Sequence, residues 1–214
     1  MTSSWASRLA TLLGRRNRAT AVTAPVWRRL FHATAGSSLA WFAIFAPDGL
    51  ILPLVASLAV AAVALEIVRR RAAQLNRLLV RWLTPLLKRD EDRRITGSTY
   101  MAVAALAVLL LFDRKVAVLA LVFLALGDPS AALVGQRIPK PRLWGKSPWG
   151  TLAFLAVGLV AVAVWVWSGD LRYHWGLLAG VVVAALVELL PLPMDDNLSI
   201  PLAAGAVMQL AGAG

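Results

Sequence analysis

Long apolar blocks separated by short polar stretches run from about residue 31 to the end of the chain. A helix that crosses the hydrocarbon core of a bilayer needs roughly 20 mostly apolar residues, with a usual range of about 17–25. By this measure the pattern predicts an all-α integral membrane protein with about seven transmembrane helices. Their expected bounds are 31–47, 49–67, 97–112, 116–134, 150–168, 175–190 and 198–213.

Composition favours a membrane location. The chain has 214 residues, of which 59% are hydrophobic and only 15% are charged, and its mean hydropathy is +0.71. A soluble domain carries about 25% charged residues. This deficit excludes a disordered chain and a nucleic-acid-coating protein, despite the net charge of +11, and the long apolar blocks argue against a soluble globule. We therefore expect the lipid bilayer, and no nucleic acid, as a partner. Because the chain has no cysteine, disulfides, zinc thiolate sites and cysteine nucleophiles are also excluded.

The basic residues are distributed unevenly between the two predicted sides of the membrane. Of the 22 lysine and arginine residues, 19 lie before the first span, between spans two and three, or between spans four and five. The remaining three are Arg114, Lys115 and Arg172. Because cytoplasmic loops carry the excess of Lys and Arg, this bias predicts a cytoplasmic N-terminus and an external C-terminus.

Two stretches outside the spans are predicted to lie on the membrane surface. Residues 1–27 are basic and contain no acid, which favours an interfacial segment ahead of a single membrane domain over residues 28–214. In the long loop 69–94, Leu75 and Leu79 begin an apolar series at helical spacing among basic residues. This pattern predicts an amphipathic helix on the inner leaflet.

Eight of the eleven acidic residues fall at or near the predicted cytoplasmic face, which is where a polar site is expected. The first candidate is the stretch from Gly127 to Gly135. Asp128 is placed like a helix N-cap, with Pro129 at the first helical position. We therefore expect a helix break there, with the carboxylate of Asp128 at the membrane boundary. A simple capping role for Asp128 is the alternative.

The second candidate is the stretch from Gly145 to Thr151. Ser147 and Pro148 have the pattern of an N-cap and a first helical residue. A helix N-terminus offers free backbone N–H groups and the positive end of the helix dipole, both of which favour phosphate. Lys146 adds a full positive charge. The stretch is therefore predicted to bind phosphate.

The third candidate is Glu188 followed by Asp195, Asp196 and Asn197, where the last span begins. Paired carboxylates are suitable ligands for Mg²⁺, which usually also binds substrate phosphates. The alternative is that the two aspartates cap the helix, where negative charge is favourable. Three such stretches on one membrane face together predict a site for polyphosphate and Mg²⁺.

Taken together, these stretches resemble the successive motifs of one family. They are Gly127-Asp128-Pro129-Ser130-Ala131-Ala132 with Gly135, Lys146-Ser147 with Gly150-Thr151, and Asp195-Asp196-Asn197 with Ile200-Pro201. They are similar to motifs of the CTP-dependent lipid kinases, the family of dolichol kinase, phytol kinase and the CTP-using diacylglycerol kinase. Weaker marks are Arg29-Leu30-Phe31-His32, Glu66 and Thr96-Gly97-Ser98-Thr99, so the resemblance extends over about residues 28–210.

The resemblance implies transfer of the γ-phosphoryl group of CTP to the hydroxyl of a membrane lipid alcohol, with Mg²⁺, at the cytoplasmic face. The acceptor would be a polyprenol, a phytol-like alcohol or a diacylglycerol. On this basis the predicted catalytic residues are Asp128, Lys146, Asp195 and Asp196, and the predicted Mg²⁺ ligands are Asp128, Asp195 and Asp196. The predicted nucleotide and phosphate contacts are Arg137, Lys140, Lys146, Ser147, Gly150, Thr151 and Asn197. The residues assigned to the acceptor side are His32, Glu66 and Glu188.

Other functions stay open on the sequence alone. Trp149 stands where the kinase family often has an acid. Ser147-Pro148 and Trp149-Gly150 also resemble the signature of CDP-diacylglycerol synthase, which would transfer the cytidylyl group and release pyrophosphate. A transporter or structural membrane protein is a second alternative, although its charges would be expected near the middle of the membrane. A third is a phosphate-binding relative without catalysis.

Overall fold

The structure is a computed structural model that describes residues 26–72, 74, 76–77, 95–138 and 140–213. Its helices are α1 (Val26–Phe45), α2 (Asp48–Arg71), α3 (Gly97–Leu111), α4 (Arg114–Val122), a π-helical turn (Phe123–Gly127), α5 (Asp128–Arg137), α6 (Pro148–Trp167), α7 (Trp175–Leu189) and α8 (Asp196–Leu210). These residues form no β-sheet, so the all-α prediction is confirmed for them. Most of the two predicted surface segments, 1–27 and 69–94, lies outside the described residues.

Several of these helices have the length and composition of membrane spans. Three of the described helices are long and apolar enough to cross a bilayer, and they are Gly49–Arg71, Arg114–Arg137 and Pro148–Trp167. Shorter apolar helices cover Ala33–Phe45, Gly97–Leu111 and Trp175–Leu189. Large apolar side chains are exposed along α2, as lipid contact requires but water does not favour. These features indicate a membrane protein, whereas seven crossings and the orientation stay predictions.

The central helix runs without interruption from Arg114 to Arg137, through the π-helical turn. Asp128 has helical backbone angles, φ −60° and ψ −47°, so the helix break predicted at this residue is wrong. Pro129 has no backbone N–H and cannot bond to the carbonyl of Ala125, four residues earlier. The widened turn directly before Asp128 accommodates this missing bond without ending the helix. Such π-helical turns are frequent at functional sites.

Helices α5 and α6 pack against each other along a seam of small residues. A Cβ atom added at Gly150 would lie 2.5 Å from the carbonyl oxygen of Ala131, and one added at Gly127 would lie 2.6 Å from the ring of Phe154. Glycine therefore allows the two backbones to approach closely, as small residues do in membrane helix pairs. The seam fixes the start of α6 relative to the start of α5.

Polar contacts tie the helices together at one end of the bundle, called here the Arg114 end. The guanidinium of Arg114 donates to the carbonyl oxygens of Ala43 at 2.6 Å and Ile44 at 3.3 Å, and also to that of Ala46. These bonds satisfy carbonyl groups that the last turn of α1 leaves without helical partners. Gln209 and Asp113 pair through two hydrogen bonds of 2.7 and 2.9 Å, which join the ends of α3 and α8.

The α5–α6 seam can be tested by adding one methyl group. We expect Gly150→Ala to lower the free energy of unfolding by about 1–3 kcal/mol, because its Cβ meets the Ala131 backbone, which cannot move aside as a side chain can. Gly49→Ala is the matched control, since a Cβ added at Gly49 in α2 meets nothing within 4 Å. Thermal unfolding in detergent compares them, and equal midpoints would contradict the seam.

The predicted orientation can be tested by cysteine labelling, because the natural chain has no cysteine. Gln136 precedes α6 in the sequence and Arg172 follows it, and both residues are exposed. In intact cells, a membrane-impermeant maleimide should label Arg172→Cys, and it should label Gln136→Cys only after permeabilisation. The opposite labelling pattern would reverse the orientation, and equal labelling of both would contradict a membrane between them.

Candidate functional site

A tight turn between α5 and α6 positions Lys146. Leu143 and Lys146 exchange two backbone hydrogen bonds, each of 2.8 Å, across Trp144 and Gly145. Both turn residues have positive φ, 50° at Trp144 and 90° at Gly145, and glycine adopts such angles without steric cost. Arg142, which sequence reasoning did not assign, holds the turn against α5 by donating to the carbonyl of Gly135 at 2.8 Å.

The ammonium group of Lys146 lies between the end of α7 and the start of α8. Its Nζ atom is 2.8 Å from Oδ2 of Asp196 and 3.9 Å from Oε1 of Glu188, and it also donates to the backbone carbonyl of Glu188. One cation therefore contacts two carboxylates that belong to different helices.

Glu188 is the most enclosed charged group at this position, with 8% of the residue exposed. Its Oε2 atom accepts a hydrogen bond of 3.2 Å from Thr151, and the charges of Asp128 and Asp196 act on its carboxylate. Because carboxylates in an apolar protein are unfavourable unless they are compensated, their collection around one lysine is informative. We call these five residues the Lys146 cluster: Asp128, Lys146, Thr151, Glu188 and Asp196.

The N-terminus of α6 begins directly beside the ammonium group. Ser147 is the N-cap residue and Pro148 the first helical residue, as predicted. The Ser147 hydroxyl forms no capping bond, however, and it is buried without a hydrogen-bond partner in the described part of the chain. Buried polar atoms are nearly always bonded, so an orphaned hydroxyl needs an explanation. At a helix N-terminus, where N–H groups are also unpaired, an anion would satisfy it.

The two consecutive aspartates at the start of α8 have different partners. Asp195 is the N-cap residue, and its Oδ1 atom accepts from the backbone N–H of Asn197 at 3.0 Å and from the Asn197 amide at 2.7 Å. Asp196 turns to Lys146 instead. The capping alternative thus describes Asp195, whereas Asp196 lies in the cluster.

The remaining predicted phosphate contacts lie in different surroundings. Arg137, the last residue of α5, and Lys140, on the connection between α5 and α6, are both exposed. Gly150 is buried in the α5–α6 seam, and Asn197 is buried against Asp195. Thr151 directs its hydroxyl to Glu188 and to the carbonyl of Ser147, at 3.2 and 3.4 Å.

Glu66 and Glu188, two of the three residues assigned to the acceptor side, have different partners. Glu188 lies in the centre of the Lys146 cluster, a position that its place in the last turn of an apolar helix could have suggested. Glu66 instead accepts two hydrogen bonds from Arg69, of 2.7 and 3.0 Å, and one from Arg70 of 2.8 Å. It also accepts from the backbone N–H of Thr96 at 3.4 Å, which links α2 to the start of α3. The side chain of His32 lies outside the described residues.

No metal ligand set is assembled in the described residues, where no group of three or more His, Cys, Asp or Glu is placed to hold a metal ion. An apolar groove of about 560 Å³ lies elsewhere, between α1 and α6. It includes Trp41, Phe45, Leu126 and Trp165, and its polar lining residues are Ser37, Ser168 and Asp170. None of its lining residues belongs to the Lys146 cluster.

Comparison with known proteins identifies a similar chain of similar length. An uncharacterized protein of Rickettsia prowazekii (strain Madrid E) is 25% identical over 181 residues, which cover 82% of this chain and 88% of that protein. No family model matches the sequence. No solved structure matches it either. The similarity therefore extends over most of both chains. It indicates no particular activity, because the similar protein is uncharacterized.

Proposed function

We propose that this protein transfers the terminal phosphoryl group of a nucleoside triphosphate to the hydroxyl of a membrane lipid alcohol. CTP is the proposed donor on the resemblance to the CTP-dependent lipid kinases. The proposal rests mainly on the position of Lys146. Its ammonium group lies between Asp196 and Glu188, and α6 begins directly after this residue in the chain.

The start of α6 has the properties of a phosphate site. The first N–H groups of a helix have no partners within it, and the helix dipole adds positive potential there. Lys146 supplies a positive charge that solvent can reach, since 28% of its side chain is exposed. The Ser147 hydroxyl, which has no hydrogen-bond partner in the described residues, could donate a hydrogen bond to a phosphate oxygen. These groups together suit a polyphosphate better than a single carboxylate.

The donor set also fits Mg²⁺. Carboxylate oxygens are the ligands that Mg²⁺ prefers, and the carboxylates of Glu188 and Asp196 already flank a cation, the ammonium group of Lys146. When bound with the nucleotide, Mg²⁺ would neutralise charge on the phosphate oxygens.

The residues of the chain would divide the work of the transfer. Lys146 and the first N–H groups of α6 would hold the terminal phosphates and compensate the charge that shifts to the leaving group. We propose Asp128 as the base, because it lies in the first turn of α5 and close enough to Glu188 for its charge to act there, beside Lys146. The lipid oxygen would form a bond to the γ-phosphorus and lose its proton to Asp128. The bond from the γ-phosphorus to the bridging oxygen would break, so that a nucleoside diphosphate leaves with the electron pair.

A membrane acceptor suits the position of the cluster. Lys146, Glu188 and Asp196 lie where apolar helices begin or end, so a hydroxyl there can belong to a molecule whose tail stays in lipid. The exposed faces of these helices are apolar, with Leu152, Leu159 and Leu186 among the exposed side chains. The cluster would therefore need to recognise only the polar end of the acceptor.

The reaction can be tested with CTP labelled at either the γ- or the α-phosphorus, together with Mg²⁺ and a mixed lipid-alcohol extract. We expect the γ label to enter lipid. Asp128→Asn, Lys146→Ala and Asp196→Asn should each reduce this transfer by about 100-fold or more, because each removes charge stabilisation or the base. Lys115→Ala, at an exposed lysine of the Arg114 end, is the control and should keep the activity.

The alternatives give different results in the same assay. Transfer of the α label would identify a cytidylyltransferase of the CDP-diacylglycerol synthase type. Binding of CTP without transfer of either label would indicate the phosphate-binding protein without catalysis. Full activity in all three variants would contradict the assignment of the Lys146 cluster as the reaction site.

Replacement of Ser147 distinguishes a ligand contact from a structural one. We expect Ser147→Ala to leave the stability of the ligand-free protein unchanged or slightly higher, because the hydroxyl has no partner to lose. CTP binding should weaken by about 0.5–1.5 kcal/mol, the contribution of one hydrogen bond. Thermal unfolding and calorimetric titration with CTP measure the two effects. Ser199→Ala is the control, since it removes a bonded hydroxyl and should lower stability. A loss of stability without a loss of affinity in Ser147→Ala would contradict the phosphate contact.

A further inference from the structure

We propose that Glu188 and Asp196 form the divalent-cation site of this protein, and that Lys146 occupies the site until a nucleotide draws the lysine away. The inference rests on the proposed function for the identity of the nucleotide. It keeps Asp196 from the metal ligands expected from the sequence and adds Glu188, whereas Asp195 stays the helix cap and Asp128 the proposed base.

The position of the Lys146 ammonium group indicates where a cation binds. Lys146 Nζ lies 2.8 Å from Asp196 and 3.9 Å from Glu188, so the two carboxylates converge on one cation. The charges of Asp128 and Asp196 both act on Glu188. Without a cation among them, these like charges would repel one another in an apolar surrounding. The ammonium group is therefore a cation of the chain itself, seated at a position that favours positive charge.

Differences in exposure allow this cation to be exchanged. The side chain of Glu188 is only 10% exposed, whereas those of Lys146 and Asp196 are 28% and 35% exposed. Glu188 is also fixed by Thr151, whose hydroxyl lies 3.2 Å from its Oε2 atom. Lys146 and Asp196 are thus the accessible members, and the lysine can leave while the buried carboxylate of Glu188 keeps its place.

A second observation, independent of the acids, indicates where the lysine would go. Ser147, the next residue, has a buried hydroxyl without a hydrogen-bond partner in the described residues, at the N-terminus of a 20-residue helix. An anion bound there would satisfy the hydroxyl and attract the adjacent ammonium group. Lys146 therefore has two sets of partners, the carboxylates when the anion is absent and phosphate when it is present.

Asp195 is poorly placed to join the cation site. Its Oδ1 atom accepts hydrogen bonds from both the backbone and the side chain of Asn197, at 3.0 and 2.7 Å. Turning this carboxylate towards Lys146 would break the cap of α8, which Asp196 and the rest of the helix depend on for their position.

The arrangement makes cation binding depend on the nucleotide. A divalent ion arriving alone must displace an ammonium group that the chain holds in place. An ion arriving with a polyphosphate meets carboxylates from which the lysine has been withdrawn, and it gains phosphate oxygens as further ligands. In the metal-free cluster the lysine thus compensates part of the negative charge, and a divalent ion from the solution must compete with it.

The test measures Mn²⁺ binding to the purified protein in detergent by electron paramagnetic resonance, without turnover. In the natural protein, we expect CTP to increase Mn²⁺ affinity. In Lys146→Met, Mn²⁺ alone should bind about tenfold more tightly or better than in the natural protein, because the competing cation is gone. Lys115→Met makes the same substitution at an exposed lysine of the Arg114 end, outside the predicted nucleotide contacts, and should behave as the natural protein does. Lys146→Gln removes the same charge and serves if methionine prevents folding.

Two further variants identify the ligands. In the Lys146→Met background, Glu188→Gln should abolish the gain in Mn²⁺ affinity, and Asp195→Asn should leave it unchanged. Equal Mn²⁺ affinity in Lys146→Met and Lys115→Met would overturn the inference, as would a gain that survives Glu188→Gln. Because no turnover is needed, a protein that binds Mn²⁺ as expected but transfers no phosphate would refute the proposed function and retain the cation site.

Discussion

Charge compensation inside an apolar helical bundle is the constraint on which the rest of this structure depends. The carboxylates of Glu188 and Asp196 come from different helices, and the ammonium group of Lys146 holds them at one position. Burying a charge is costly unless a partner and hydrogen bonds compensate it. The cluster meets this condition with one lysine and Thr151, so the lysine can leave only if another cation compensates the carboxylates.

Close backbone packing places the parts of this cluster. The π-helical turn lets the central helix continue past Pro129, which keeps Asp128 on a rigid element rather than in a loop. Gly150 then brings the start of α6 against α5, and the short turn before Ser147 aims Lys146 at α7 and α8. Sites built on helices hold their geometry more closely than sites built on loops, which suits a reaction that depends mainly on positioning.

The two ends of the bundle use their polar groups differently. At the Arg114 end, the guanidinium of Arg114 donates to backbone carbonyls, and the amide of Gln209 pairs with the carboxylate and the backbone N–H of Asp113. The carboxylate of Glu66 likewise has partners, because it accepts hydrogen bonds from Arg69 and Arg70. The Lys146 end differs because the hydroxyl of Ser147 is buried without a partner in the described residues. This difference separates polar groups that stabilise the fold from those that suit a ligand.

The sequence alone determined the helices and several of their starting residues. A segment in lipid must satisfy its backbone hydrogen bonds internally, so long apolar runs become helices wherever they lie. Ser147 and Asp195 begin helices as expected because N-cap preferences act within a few residues of the chain. The stretches containing Lys146, Glu188 and Asp196 could be identified as polar sites for the same local reason.

The partners of these residues depend on the tertiary structure. Lys146 contacts Glu188 and Asp196 across 42 and 50 residues of sequence, and such a contact exists only once α6, α7 and α8 are packed. Sequence could not divide the adjacent aspartates into a cap and a lysine partner, since both tasks suit a carboxylate at a helix start. Nor could it show that Glu66 pairs with Arg69 and Thr96 while Glu188 enters the cluster. Local chemistry selects which residues can be functional, and the packing of distant helices determines which of them meet.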